Sequence, residues 1–123
     1  MAEFTLVIGN KNYSSWSLRG WLMARIAGID FEEIVVPLDL PETQAAIRKH
    51  SPSGKVPVLI HRGLAVWDSL AIAEYLNDLK PEAGIWPPSA AARAHARAIS
   101  AEMHAGFAEL RAQMPMNIRA SYP

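Results

Sequence analysis

Cysteine is absent from all 123 residues of the chain. Its absence excludes a disulfide-bonded scaffold, a Cys-x-x-Cys redox pair, a cysteine nucleophile and a thiolate metal site. Any thiol chemistry of this protein must therefore use a thiol that belongs to another molecule.

An excess of charge is also absent, since twelve Lys and Arg residues balance twelve Asp and Glu residues. Nucleic acids and anionic membranes are therefore not expected as partners. The first ten residues, MAEFTLVIGN, lack the basic start of a signal peptide and the length of a membrane span. We expect a cytoplasmic protein. No metal site is predicted, because metal-ligand spacing is absent among the histidines, His50, His61, His95 and His104.

What the chain does have is 50% hydrophobic residues, enough for one compact domain with a core. Short apolar runs bounded by turn residues predict strands, and apolar residues at helical spacing predict helices. The predicted elements are a strand over Phe4–Gly9, a helix over Ser17–Ala27, a strand over Phe31–Val36, a helix over Pro41–His50, strands over Val56–His61 and Leu64–Trp67, and a helix from Asp68 or Ser69 to Pro81. The apolar stripe that predicts the first helix is Leu18, Trp21, Leu22 and Ile26. The third helix has a predicted core stripe of Ile72, Leu76 and Leu79.

The order of these elements is β-α-β-α-β-β-α. The first strand, helix and strand indicate a parallel pair, and the connection Arg62-Gly63 indicates an antiparallel hairpin. The predicted fold is therefore α/β, a thioredoxin-like domain with a mixed four-stranded sheet covered by helices. Trp21 and Trp67 lie on apolar faces, and we expect both in the core.

A different pattern follows the third helix. Residues 82–90 are rich in Pro, Ala and Gly and indicate a linker, and residues beyond it predict one long helix. Its apolar stripe consists of Ile99, Met103, Phe107, Leu110 and Met114. We expect a domain over 1–81, a linker over 82–90 and the first helix of an incomplete all-α domain over 91–123. The stripe needs cover from the first domain, a second subunit or a continuation of the chain.

Three short motifs follow strand ends or precede helix starts, where ligands of α/β proteins bind. The first motif spans Asn12 to Arg19 and offers the hydroxyls of Ser14 and Ser15 before a helix. Free thiols have a pKa of about 8.5, and a hydroxyl bonded to the thiolate, together with a helix N-terminus, lowers that pKa. A plain N-cap explains the same serines.

The second motif is Lys55-Val56-Pro57, which leads from a loop into a strand. A cis Val56-Pro57 bond would expose the Val56 backbone, so that an extended peptide could pair with it. Base rates favour a trans bond, because only about 5–6% of X-Pro bonds are cis.

The third motif is Trp67-Asp68-Ser69, where the hairpin ends and a helix begins. A helix N-terminus with a serine hydroxyl suits a carboxylate, and the Asp68 carboxylate suits an ammonium group. Together they fit an amino-acid-like zwitterion. An ordinary helix cap again explains the same residues.

All three motifs resemble those of cytosolic glutathione transferases, in the same order along the chain. NYSSWSLRGWL is similar to the serine motif of the zeta class, SPSGKVPVL resembles the loop that leads to the family's cis proline, and WDSLAIAEYL resembles its acidic-Ser helix start. The segment ISAEMHAGFAELRAQMPMN is similar to the first helix of the family's second domain.

The resemblance implies a glutathione S-transferase with glutathione as co-substrate and a small hydrophobic electrophile as its second substrate. It implies that Ser14 activates the thiol, with Ser15 as the close second choice. Glutathione would be held by Lys55, Val56, Pro57, Asp68 and Ser69. A homodimer is also implied, motivated in addition by the uncovered apolar stripe.

The chain departs from the family pattern at two of these positions. Trp16 replaces the cysteine of the zeta class, and Asp68 replaces the more usual Glu or Gln, which shortens its reach by one methylene. Two alternatives stay open. One is a non-catalytic binding or scaffold module with a thioredoxin fold, and the other is glutathione-dependent isomerisation or reduction at the same site.

Overall fold

The computed structural model describes residues 2–121. The predicted element order is confirmed, with boundaries shifted by a few residues. The elements are β1 (Phe4–Ile8), α1 (Ser15–Ala27), β2 (Phe31–Val35), α2 (Thr43–Arg48), β3 (Val58–His61), β4 (Leu64–Trp67), α3 (Ser69–Leu79), a 3-10 turn (Pro81–Ala83), α4 (Ala90–Ala105) and α5 (Ala108–Gln113).

The four strands form one mixed sheet in the order β2-β1-β3-β4. Strand β1 pairs in parallel with β2 and antiparallel with β3, so that Phe4 faces Phe31 on one side and His61 on the other. Strands β3 and β4 form the predicted hairpin. Its turn residues Arg62 and Gly63 both have positive φ, 50° and 80°, as a two-residue hairpin turn requires. The thioredoxin-like fold is therefore confirmed.

The sheet is covered on both faces. On one face Leu6, Ile8 and Leu59 pack against α1 and α3, and on the other Val7 and Val58 pack against the α2 side. Alternate residues of β1 thus point into two cores, as a strand buried on both faces requires.

The buried face of α1 is not the apolar stripe that predicted this helix. Leu22 and Ile26 are 40% and 50% exposed. The buried residues are the small ones, Ser17, Gly20, Ala24 and Ala27. The reason is close packing, because a Cβ built on Gly20 would lie 2.9 Å from the Pro57 Cγ.

Helix α3 begins after Asp68, its N-cap, and Ile72 and Leu76 on its core face are fully buried. Leu79, the third residue of the predicted stripe, is 40% exposed. Its place in the core was therefore wrong, because the helix ends there, with Lys80 at its C-cap.

The helix predicted beyond the linker is two helices, and the expectation of one long helix was wrong. Gly106 is extended and Phe107 is left-handed (φ 60°), so the chain turns between α4 and α5. Glycine is a poor helix former, which explains the break there. No described residue of α4 or α5 is buried. The division at 1–81, 82–90 and 91–123 stays a prediction, and its outermost positions, 1, 122 and 123, lie outside the described residues.

None of the helices within residues 2–121 is long and apolar enough to cross a lipid bilayer.

Candidate functional site

A cavity of about 410 Å³, here named the polar cavity, lies where the loop before β3 faces the start of α3. It brings together all five of the predicted binding residues. Its lining consists of Ser53, Lys55, Val56, Pro57, Trp67, Asp68 and Ser69, with Trp16 from α1, His104 from α4 and Arg111 from α5.

The loop before β3 contributes backbone groups to this cavity. The Val56-Pro57 peptide bond is cis, as the resemblance implied. Pro57 is buried and packs against Gly20 of α1. Within residues 2–121, the Val56 N–H and C=O form no hydrogen bond. Both groups are therefore free to pair with a ligand.

The start of α3 contributes a carboxylate and a hydroxyl. Asp68 Oδ1 accepts hydrogen bonds from the Leu70 and Ala71 N–H groups, at 2.9 and 3.4 Å. Ser69 is the first residue of the helix and is buried. The Ser69 hydroxyl has no hydrogen-bond partner in the part of the chain that the structure describes. It is thus available to a ligand at the helix N-terminus.

The second oxygen of Asp68 already has a partner from the helical segment. His104 Nε2 lies 2.8 Å from Asp68 Oδ2. Sequence reasoning assigned His104 no role, because its partner lies 36 positions earlier in the chain. A ligand ammonium at Asp68 must therefore share or displace the His104 imidazole.

The structure does not bring Ser14 to the polar cavity. Ser14 is the N-cap of α1, its Oγ donates to Ser17 Oγ (2.7 Å) and it accepts from the Ser17 N–H (3.3 Å). The Gly9 N–H also donates to Ser17 Oγ, at 3.0 Å. Ser14 lines a separate cavity of about 200 Å³ beside Trp21. Ser15 is the first residue of α1, and neither serine lines the polar cavity.

Trp16 occupies the position nearest the polar cavity in this motif. The Arg19 and Arg111 Cζ atoms lie 3.9 and 5.1 Å from the centre of its ring. The His104 ring meets Trp16 edge-on at 5.0 Å between centres. Arg19 belonged to the sequence motif, but the sequence carries no local signal that places Arg111 beside it.

These cations lack acidic partners. Among the described residues, neither Arg19 nor Arg111 forms a salt bridge, and Arg111 Nε is buried without a hydrogen bond. Burial, and secondly the charge of Arg111, lowers the pKa of the Arg19 guanidinium. The region around Trp16 is therefore a positively charged surface that is ready for an anion.

The two tryptophans expected in the core differ. Trp21 packs against the core between the sheet, α1 and α3, and its indole N–H donates to Glu33 Oε1 at 2.6 Å. Trp67 is 46% exposed and lines the polar cavity, so the expectation that it lies in the core was wrong. It stands at the end of the edge strand β4, which explains its exposure.

An apolar cavity of about 520 Å³ adjoins the polar cavity and shares Trp16, Ser69 and His104 with it. The rest of its lining comes from α1, α3, α4 and the segment before α4. Those residues are Arg19, Met23, Leu70, Ala73, Ile85, Trp86, Pro87, Ala96, Ile99, Ser100 and Met103. The site thus has a polar half and an apolar half.

Within the described range, no three residues of the types His, Cys, Asp and Glu are grouped so that they could hold a metal ion.

The mixed sheet, the cis proline loop and the capped start of α3 define a thioredoxin-like domain that is followed by helices. Residues 13–79, more than half of the chain, match the family described as "Glutathione S-transferase, N-terminal domain". The chain belongs to the glutathione S-transferase family.

Similar proteins are named as an isomerase or as a glutathione transferase. The chain is 33% identical over 96 residues to "Probable maleylacetoacetate isomerase" of Caenorhabditis elegans, covering 78% of the chain and 44% of that protein. It is 35% identical over 95 residues to "Glutathione S-transferase Z2" of Arabidopsis thaliana, covering 73% of the chain and 41% of that protein. The chain thus spans less than half the length of these two relatives.

A similar solved structure is a glutathione transferase homologue from Burkholderia with bound glutathione. It has a TM-score of 0.76 and 28% sequence identity, and the match covers 92% of this chain and 62% of that one.

Proposed function

We propose that the polar cavity binds glutathione and that the protein transfers the glutathionyl group, through its thiolate sulfur, to a hydrophobic electrophile. One observation carries the proposal. Val56 and Ser69 line the same cavity, and both have hydrogen-bonding groups without a partner among the described residues. The volume of about 410 Å³ is in the usual range for small-ligand pockets. The glutathione bound to the Burkholderia homologue supports the same ligand.

Each end of the tripeptide has a complementary group in the cavity. Asp68 faces the ammonium, and the Ser69 hydroxyl with the start of α3 binds the γ-glutamyl carboxylate. Lys55 attracts the glycine carboxylate. The Val56 N–H and C=O pair with the peptide main chain, while Pro57 forms the wall beside it.

The thiol of this ligand then lies towards the start of α1, where a serine hydroxyl and helix N–H groups stabilise the thiolate. The thiol proton leaves to solvent. The sulfur lone pair forms a bond to carbon of the electrophile, and the leaving group departs with the electron pair of its own bond. The apolar cavity next to Trp16 and Ser69 accepts the hydrophobic electrophile. In this assignment residues 1–81 bind glutathione and residues 91–123 cover it.

Titration calorimetry with glutathione tests this function. We expect saturable binding of glutathione, and also of γ-glutamyl-2-aminobutyryl-glycine, an analogue that carries a methyl group in place of the thiol. Thioether formation with an aryl halide measures the transfer step. Absence of binding at millimolar glutathione would contradict the proposal, and binding without turnover would favour a non-catalytic module.

The hydroxyl that stabilises the thiolate is Ser14 or Ser15, and single alanine variants separate them. Because the Ser14 hydroxyl is bonded to Ser17, we expect Ser15→Ala to raise the pKa of the bound thiol and Ser14→Ala to act mainly by removing the α1 cap. The loss of one hydrogen bond to a charged group should lower turnover by roughly tenfold or more. The thiolate absorbance against pH measures the effect. A raised thiol pKa in Ser14→Ala alone would give the role to Ser14, and no change in either variant would exclude a serine mechanism.

We also propose a homodimer, supported by family membership and by exposed apolar side chains on α5 such as Leu110. Sedimentation equilibrium at micromolar concentration should give twice the mass of one chain, and Leu110→Lys should shift the protein towards monomer. A single-chain mass for the unmodified protein would contradict the dimer.

A further inference from the structure

We infer that Arg111 is a catalytic residue that contacts the glutathione thiolate beside Trp16 and stabilises its negative charge. This role rests on the proposed function, because it requires glutathione in the polar cavity. It goes beyond that function by assigning part of the thiol activation to a residue of the helical segment, far along the chain from the serine motif.

The position of Arg111 supports this role. It lines the polar cavity, and its guanidinium carbon lies 5.1 Å from the ring centre of Trp16, the second residue of α1. Trp16 lines the cavity together with Lys55 and Ser69, the residues that we assign to the two ends of the peptide. The start of α1 therefore lies next to both ends. Arg111 therefore lies on the part of the cavity wall where we place the cysteinyl residue of the bound tripeptide.

The charges of the cavity lead to the same assignment. Glutathione with an ionised thiol carries two carboxylates, one thiolate and one ammonium group. Asp68 matches the ammonium, Lys55 one carboxylate and Ser69 with the start of α3 the other. Of the described lysine and arginine side chains that line the cavity, Arg111 is then left without a counterpart, and the thiolate is the one charge of the ligand left over.

The Arg111 side chain also lacks a hydrogen-bond acceptor, which a ligand anion would supply. Its Nε is buried without a hydrogen-bond partner, and among residues 2–121 it forms no salt bridge. A buried donor without a partner is uncommon in proteins, and its explanations include strain, a bound water or ion, and a role in catalysis. Arg19 on the same tryptophan increases the positive potential, and its pKa is lowered by burial and by Arg111.

Other charged and titratable groups that line the two cavities also influence the pKa of the bound thiol. Arg19 faces it from α1, Asp68 from the start of α3, His104 from α4 and Lys55 from the loop before β3. Asp68 opposes a second negative charge, but its Oδ2 is paired with His104 and its Oδ1 with backbone N–H groups. The cations therefore dominate at the thiolate.

The test compares Arg111→Gln, Arg111→Lys and a control, Arg25→Gln. Arg25 makes a similar contact with a tryptophan, with its Cζ 5.4 Å from the Trp21 ring centre, but it does not line the polar cavity. A nearby cation favours the thiolate, so removing it raises the thiol pKa. We expect a rise of about one unit in Arg111→Gln, hence up to about tenfold less thiolate at neutral pH, a smaller rise in Arg111→Lys and none in Arg25→Gln.

Two further readouts separate this role from a structural one. In Arg111→Gln the loss of kcat/KM should be up to about tenfold at neutral pH and should disappear at a pH above the raised thiol pKa. Affinity for γ-glutamyl-2-aminobutyryl-glycine, which has no thiol, should be unchanged.

The outcomes are distinct. An unchanged thiol pKa in Arg111→Gln that still binds glutathione would overturn the inference and leave the proposed function intact. Weaker binding of the thiol-free analogue would overturn it too, because Arg111 would then hold a carboxylate. Failure of the unmodified protein to bind glutathione would instead refute the proposed function.

Discussion

Replacing Leu76 by alanine is expected to lower the free energy of unfolding by about 2–5 kcal/mol, the usual cost of truncating a fully buried leucine. Leu76 has no exposed surface and packs in the core between α1, α3 and the sheet. The surrounding side chains are also fully or nearly fully buried, so they can close only part of the resulting cavity. A domain of this size has a free energy of unfolding of about 5–15 kcal/mol, so such a loss removes a large fraction of it.

Leu79 provides the matched control because it lies on the same helix and is 40% exposed. We expect Leu79→Ala to cost less than about 1 kcal/mol, as for a surface substitution. Urea unfolding followed by circular dichroism measures both variants. Equal losses in the two proteins would mean that the core does not extend as described.

A second large effect is expected from Ser69→Ala, which should weaken glutathione binding by roughly 10- to 150-fold. This range corresponds to the loss of a hydrogen bond to a charged group, about 1.5–3 kcal/mol. The fold should be unaffected, since Asp68 and not Ser69 caps α3. Calorimetric titration with glutathione measures the affinity.

Two further variants test whether the loss of affinity is specific to the predicted binding residues. Ser89→Ala removes a serine at another helix start, the N-cap of α4, which does not line the polar cavity. Its affinity for glutathione should equal that of the unmodified protein. Asp68→Asn keeps an oxygen for the α3 cap but removes the charge that faces the ammonium, so it should also weaken binding. If Ser69→Ala binds as tightly as Ser89→Ala, the carboxylate anchor lies elsewhere.

The sheet could be predicted because its signals are local. Apolar runs, turn residues and caps specify each strand and helix, and the connections then leave few possible topologies. The two proposed peptide anchors could be predicted for the same reason. Val56-Pro57 and Asp68-Ser69 stand at element ends, and a β3-β4 hairpin necessarily carries both ends of its chain to one side of the sheet.

The buried face of α1 could not be found from hydrophobicity. A pattern of large apolar residues predicts the core side only when the helix has room for them, and here Pro57 lies too close. The break at Gly106 carried a signal, a glycine within the helical pattern, which the strong stripe on both sides outweighed.

The contacts of His104 and Arg111 with the polar cavity had no local signal at all. They depend on how α4 and α5 return across the domain, and the turn at Phe107 decides that path. For Ser14 the motif could be recognised from the sequence, but the direction of its hydroxyl, which is bonded to Ser17, could not be predicted. A motif identifies the residue types at a site, whereas the direction of each side chain depends on its neighbours.

The contact between Gly20 and Pro57 has a consequence for the evolution and engineering of this protein. Any side chain at position 20 would meet the proline ring, so changes there would be selected against whatever the substrate. A library aimed at new substrates should therefore leave this position fixed and vary residues such as Met23 and Met103, which line the apolar cavity. The residues that line the apolar cavity can then change while the close contact between α1 and Pro57 stays intact.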